Sequence, residues 1–150
     1  GPVRAPRAPG RSVVAEDGQV AVTHARVIAH LAGSGSATEA AAFSLLDCSI
    51  ETGRRHQIRA HLAHAGHPVV CDGRYGPEHF EADLGFCPRN FLHRCRVAWC
   101  EPADSGLGEV GIDAPLPWDL CEALSGLLPS DERSRVAVAG VLAAAGWRPD

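Results

Sequence analysis

Apolar and polar residues alternate most clearly in "AAFSLLDCSIE" (41–51), a period of two that predicts a strand with Phe43, Leu45 and Ile50 toward a core. Upstream, "SVVAEDGQVAVTHARVIAHL" (12–31) carries β-branched runs on both sides of Asp17-Gly18, which is hairpin chemistry. The pattern then changes period. From Thr52 to Ala65, Ile58, Leu62 and Ala65 stand at i, i+4 and i+7, so a helix is expected with Thr52 as its cap and Gly66 as its stop. "GHPVVCDGRYG" (66–76) reads as irregular, and 77–90 as a surface loop or helical turn. "NFLHRCRVAWCEP" (90–102) and "GEVGIDAPLP" (108–117) read as partner strands. "WDLCEALSGLL" is an amphipathic helix starting near Pro117, and a second helix is expected over about 131–146, with Ser130 as its candidate cap. Residues 1–11, rich in Pro, Gly and Arg, read as a flexible lead-in; 12–128 form the domain proper, and 129–150 a helical tail. Strands and helices mix without a βαβ rhythm, which places the chain in the α+β class.

Composition narrows this only slightly. With 150 residues, 45% hydrophobic and 21% charged, the chain fits one globular domain. The net charge of −4 excludes a globally basic surface, so any anion-binding face must be local. All 14 basic residues are arginine. The cysteines at 48, 71, 87, 95, 100 and 121 form no CxxC pair and are expected to be free thiols in a reducing compartment. No apolar run is long enough for a membrane span. The sequence contains no methionine, so it is expected to be a processed product or a piece of a longer protein.

The chemistry concentrates in "TGRRHQIRAHLAHAGHPVVCDGRYG" (52–76), which gathers arginines and histidines around one short helix. A zinc site is the first alternative to weigh. His61 and His64 are one turn apart but not in the HxxxH spacing, and Cys87, His93, Cys95 and Cys100 match no zinc spacing, so no metal is expected. Asp17, Asp47 and Asp72 read as turn or solvated carboxylates, and Trp118 and Trp147 as packing residues.

This stretch resembles the TGRxHQIRxHL…GHPIxGDxxYG signature of the RluA-type RNA pseudouridine synthases. Three further segments are similar in the right order: "DGQVAVTHARVI", "FLHRCRVAWCEP" and "APLPWDL", so the resemblance spans about residues 17–125. It implies a mixed, largely antiparallel sheet flanked by helices and a reaction that converts uridine to pseudouridine in RNA, without a cofactor. It also implies a catalytic Asp, in an "HRLDxxTSG" segment, that this chain lacks. By position, Arg59 is the arginine that would pair with that absent Asp. Arg54, Arg55, His56 and Gln57 are then expected to bind RNA or to form the active-site wall, and Asp72 and Tyr75 to shape a structural turn. Cys71, Arg26 and Cys100 stand where the family pattern has Gly, Tyr and His. The chain is thus expected to be the C-terminal half of the catalytic domain, inactive alone, with RNA (rRNA or tRNA) as its partner. Another chain, or the N-terminal half, would cover an open sheet edge. The rival reading is a non-catalytic RNA-binding or assembly module.

Overall fold

The computed structural model describes residues 11–34, 41–106 and 108–148; most of the predicted lead-in and of the loop at 32–40 lies outside the described residues. Strand β1 (Thr23–Ala32) pairs antiparallel with β2 (Ala42–Ile50) on one side and with a two-residue β5 (Leu128–Pro129) on the other. A separate ribbon joins β3 (Arg96–Cys100) to β4 (Glu109–Asp113), again antiparallel. Among the described residues, four α-helices accompany these strands: α1 (Gln57–His64), α2 (Phe80–Asp83), α3 (Trp118–Ser125) and α4 (Glu132–Ala144). This is an α+β arrangement of helices and antiparallel sheet, consistent with the pseudouridine synthase fold.

The register of β1 on β2 shifts between Val27 and Ala29, where Ile28 is the extra residue of a bulge. On one face the bulge lets the exposed pair Arg26–Asp47 (3.0 Å) be followed by Ala29 opposite Leu45 and Leu31 opposite Phe43. These apolar pairs form the core with Leu124, Leu127 and Val138 of the C-terminal helical segment. A second cluster, Cys71, Cys87, Leu120 and Ala123, shares Phe86, Phe91 and Leu116 with the first. The opposite sheet face carries Val27 and Ile50, both exposed. Ile50 therefore does not join Phe43 and Leu45 as core: it sits an odd number of residues from them, and alternation sends it to the other face.

Three further expectations are corrected. The turn at Asp17-Gly18 forms (Gly18 N–H donates to Ala15 O, 3.0 Å), but residues 11–22 contain no strand, and the partner of β1 is β2. The first helix starts at Gln57 instead of Thr52, with His56 as its N-cap in a left-handed conformation (φ 54°). Gly66, at φ 84°, does lie just beyond its end; within it Gln57 and Ala60 are buried, Ile58 and Leu62 are half-buried, and Ala65 past its end is exposed. The cap of α4 is Asp131, whose carboxylate accepts the Ser134 N–H at 2.7 Å. Asp131→Ala should therefore lower the unfolding midpoint, and Ser130→Ala should not; a denaturant titration of both variants decides between the caps.

Candidate functional site around Arg59 and Asp72

Local hydrogen bonding explains why α1 starts late. The Thr52 hydroxyl donates to Gln57 Oε1 (2.7 Å), and that oxygen also accepts the Arg54 N–H (3.1 Å). The Gln57 amide nitrogen donates to Val22 O (2.8 Å) and to Thr23 Oγ1 (3.0 Å). Gln57 thus closes the 52–57 turn and ties the helix to the head of β1. Both N–H bonds and both acceptor positions of its amide are spent, so it has nothing left to offer a ligand. His61 is likewise engaged, through Nδ1, with Thr23 Oγ1 at 3.0 Å. His64 and His67 are exposed.

Arg59 is the best-fixed charge of the region. Its Nε donates to Asp72 Oδ2 at 2.6 Å and its Nη2 to Asp72 Oδ1 at 2.7 Å, a bidentate pair. The Asp72 side chain is fully buried and that of Arg59 is 19% exposed. Asp72 Oδ1 also accepts the N–H groups of Arg74 and Tyr75, each at 3.1 Å, which winds residues 72–75 into a tight turn. Burial alone would push the Asp72 carboxyl up, but the Arg59 hydrogen bond and the two backbone donors outweigh it and hold the group below the usual carboxylate range. On the other partner, the bond to Asp72 raises the Arg59 guanidinium further, so it remains a cation throughout. The sequence left Arg59 without an acid in the chain; the fold supplies one, and it comes from the segment read as a turn.

Tyr75 connects this pair to its surroundings. The Arg59 guanidinium lies 5.0 Å from the centre of the Tyr75 ring and that of Arg11 lies 5.2 Å from it. The Tyr75 hydroxyl meets His56 Nδ1 at 3.1 Å and the Ser12 N–H at 2.8 Å. Ser12 Oγ donates to Arg55 O at 2.8 Å, which fastens the N-terminal segment across the start of α1. Sequence reasoning missed Arg11 and Ser12, because no local pattern marks a contact made across more than 40 residues. Behind Asp72, Cys71 takes φ 58° and donates its N–H to the buried Asp83 carboxylate at 2.7 Å.

The other candidates are more open. Arg54 and Arg55 are exposed, and the hydrogen bond from Arg54 Nε to Val20 O is long, at 3.5 Å. Asp47 is held by Arg26 on the exposed part of the sheet. Arg55, Arg59 and Arg74 act together on His56 at the start of α1, so this corner is cationic, and Asp72 is the carboxylate bound to it among the described residues. Such a corner can bind and orient an anion or a carboxylate. Among the described residues, the carboxylate beside Arg59 is Asp72, which is already engaged.

Comparison with known proteins bears on the family of the chain. The family model for RNA pseudouridylate synthase matches residues 4–64, which include Arg54, Arg55, His56, Gln57 and Arg59. An uncharacterized RNA pseudouridine synthase of Chloroflexus aurantiacus is 38% identical over 117 residues, covering 78% of this chain and 33% of that protein. Ribosomal large subunit pseudouridine synthase D of Neisseria meningitidis is 37% identical over 121 residues, 76% of this chain and 29% of that protein. Ribosomal large subunit pseudouridine synthase C of Escherichia coli is 41% identical over 89 residues, 56% of this chain and 27% of that protein. The chain therefore spans about a third of the length of the curated relatives it matches. The ordered motifs, the antiparallel sheet with its helices and these similarities together place the chain in the RluA-type family of RNA pseudouridine synthases.

Proposed function

We propose that the chain is the C-terminal half of a catalytic domain that isomerises uridine to pseudouridine in RNA, and that it supplies the cationic wall of the active site but not the catalytic acid. One observation carries this division of labour. The carboxylate at Arg59 is Asp72, which is buried and accepts four hydrogen bonds, so it cannot reach a nucleotide. An arginine orients and neutralises but does not accept a proton at any useful pH. In this reading the acid arrives from a segment outside these 150 residues, as the family resemblance implies.

The different ways in which the two arginines are held support different roles for them. Arg59 has committed Nε and Nη2 to Asp72 and keeps Nη1 for a second acceptor. Arg54, exposed and held by a single long bond, can swing to meet an incoming carboxylate or an RNA phosphate. In this reading Arg59 is the fixed floor of the site and Arg54 its mobile arm.

Tritium release from C5-labelled uridine in RNA tests the proposal. The 150-residue chain alone should release none. Joined to an N-terminal segment carrying the "HRLD" Asp, it should become active. In that joined protein Arg54→Ala should cut turnover by roughly a hundredfold, the scale of losing one charge-orienting group, with an unchanged melting curve. Turnover by the chain alone would sink the claim that its acid is missing. RNA binding without turnover in the joined protein would favour the non-catalytic module instead.

A further inference from the structure

His56 stands among the arginines at the start of α1 as a group whose protonation state the fold can set, through contacts made at the Tyr75 hydroxyl. The Tyr75 side chain is buried, at 5% relative exposure. Its oxygen accepts the Ser12 N–H at 2.8 Å and lies 3.1 Å from His56 Nδ1. A phenol has a single proton to place. If Nδ1 carried a proton, Ser12 and His56 would both donate to the same oxygen, and the buried phenol proton would have no acceptor. With Nδ1 bare, the phenol donates to it and every group is satisfied. Nε2 of His56 has no partner among the described residues, and the ring is only partly buried.

We propose that the Ser12–Tyr75–His56 relay fixes His56 as a neutral imidazole with its proton on Nε2, where it donates a hydrogen bond to an acceptor oxygen of RNA. This rests on the reading of RNA as the substrate. The charges facing the ring point the same way. Burial lowers the affinity of His56 for a second proton, Arg59, Arg55 and Arg74 lower it further, and Asp72 opposes them without reversing the direction. The left-handed backbone at His56 is a second constraint on the ring, because it turns the residue out of the helix it caps. Tyr75 is then a positioning residue, and His56 a binding residue of a different kind from its arginine neighbours: it supplies direction, not charge.

Two-bond nitrogen–proton NMR of the imidazole ring, on the 150-residue chain, reads the tautomer without reference to activity. The Nε2–H form should dominate at pH 7, and Tyr75→Phe, which keeps the ring, should mix the tautomers. Binding of a fluorescein-labelled, mixed-sequence, single-stranded oligoribonucleotide reads the ligand. His56→Ala should weaken it about three- to tenfold, the scale of one hydrogen bond. The slope of log affinity against log salt should stay unchanged in that variant, because a neutral donor releases no counterion. Arg55→Ala should lower the slope by about 0.7, as for loss of one phosphate contact on a single strand. An imidazolium or an Nδ1–H tautomer in the parent chain overturns the proposal, as does a Tyr75→Phe spectrum identical to the parent's. A slope reduced in His56→Ala by as much as in Arg55→Ala, or no measurable RNA affinity of the parent chain, overturns the assignment of the ligand. Failure of the joined protein to form pseudouridine would defeat the proposed reaction and leave the tautomer result standing.

Discussion

Arg59→Ala should destabilise the fold by about 3–5 kcal/mol, the range for breaking a buried ion pair from one side. The cause is the Asp72 carboxylate, which stays fully buried and loses both of its side-chain donors. For a chain of this length that corresponds to a fall in Tm of roughly 10 °C. The loss should depend on pH with a definite sign. In the parent, Asp72 is held below its unfolded value, so its contribution is complete above the unfolded carboxyl pKa of about 3.9 and disappears as pH falls through the folded one. In the variant, burial is opposed only by the Arg74 and Tyr75 N–H groups, so Asp72 takes up a proton more readily. The gap between the two proteins should therefore narrow as the pH is lowered. A double variant, Arg59→Ala with Asp72→Ala, should lose much less than the sum of the singles, because removing both leaves no orphan charge. Arg54→Ala, at an exposed site, should stay within about 0.5 kcal/mol of the parent. An Arg59→Ala melt within 2 °C of the parent, a margin well inside the roughly 10 °C expected, would falsify the account of the pair.

Removal of residues 130–150 should unfold the chain or leave it aggregated. Helix α4 covers the face of the sheet built by Ala29 and Leu31, with Val138 buried against them and Ala137, Val141 and Leu142 packed around it. The same segment satisfies the backbone of His30: the Ser134 hydroxyl of α4 accepts the His30 N–H at 2.9 Å, and the N–H of Ser130, just before the helix, donates to His30 O at 2.9 Å. Truncation therefore exposes an apolar face and orphans a buried stretch of β1 together, two of the costs that leave a small domain without net stability. Size-exclusion chromatography and circular dichroism of the truncated chain are the measurements. A monomer with an unchanged melting temperature would show that α4 is dispensable.

Much of this arrangement was legible from the residues. Alternation in 41–51 located β2, and the period change located α1, α3 and α4, because those signals are local. What was not legible depends on pairing at a distance. Thr52 looks like a helix cap, yet Gln57 takes up its hydroxyl, so the first turn is used to anchor β1 and helical geometry begins five residues later. Ser130 and Asp131 are both good caps by composition, and the carboxylate won because it reaches the Ser134 N–H. Residues 12–16 have strand-like composition, but their backbone is committed elsewhere: Ser12 bonds to Tyr75 and to Arg55. Family motifs singled out Arg59, while its partner Asp72 could be found only by folding the chain, since the two lie 13 positions apart across helix and loop.

Those separations also give the site an order of assembly. Arg59 and Asp72 are near neighbours along the chain, so the loop closed when they meet is short and its entropic cost small. Ser12 and Tyr75 are 63 residues apart, so the loop their contact closes is longer and costs more chain entropy. During folding the charged floor of the site can therefore appear early, as part of a local helix-and-turn unit. The hydrogen bond from Ser12 to the Tyr75 hydroxyl is expected to form later, as the N-terminal segment closes over that unit. A chain paused before that step would hold its cations in place while the imidazole beside them still turned freely.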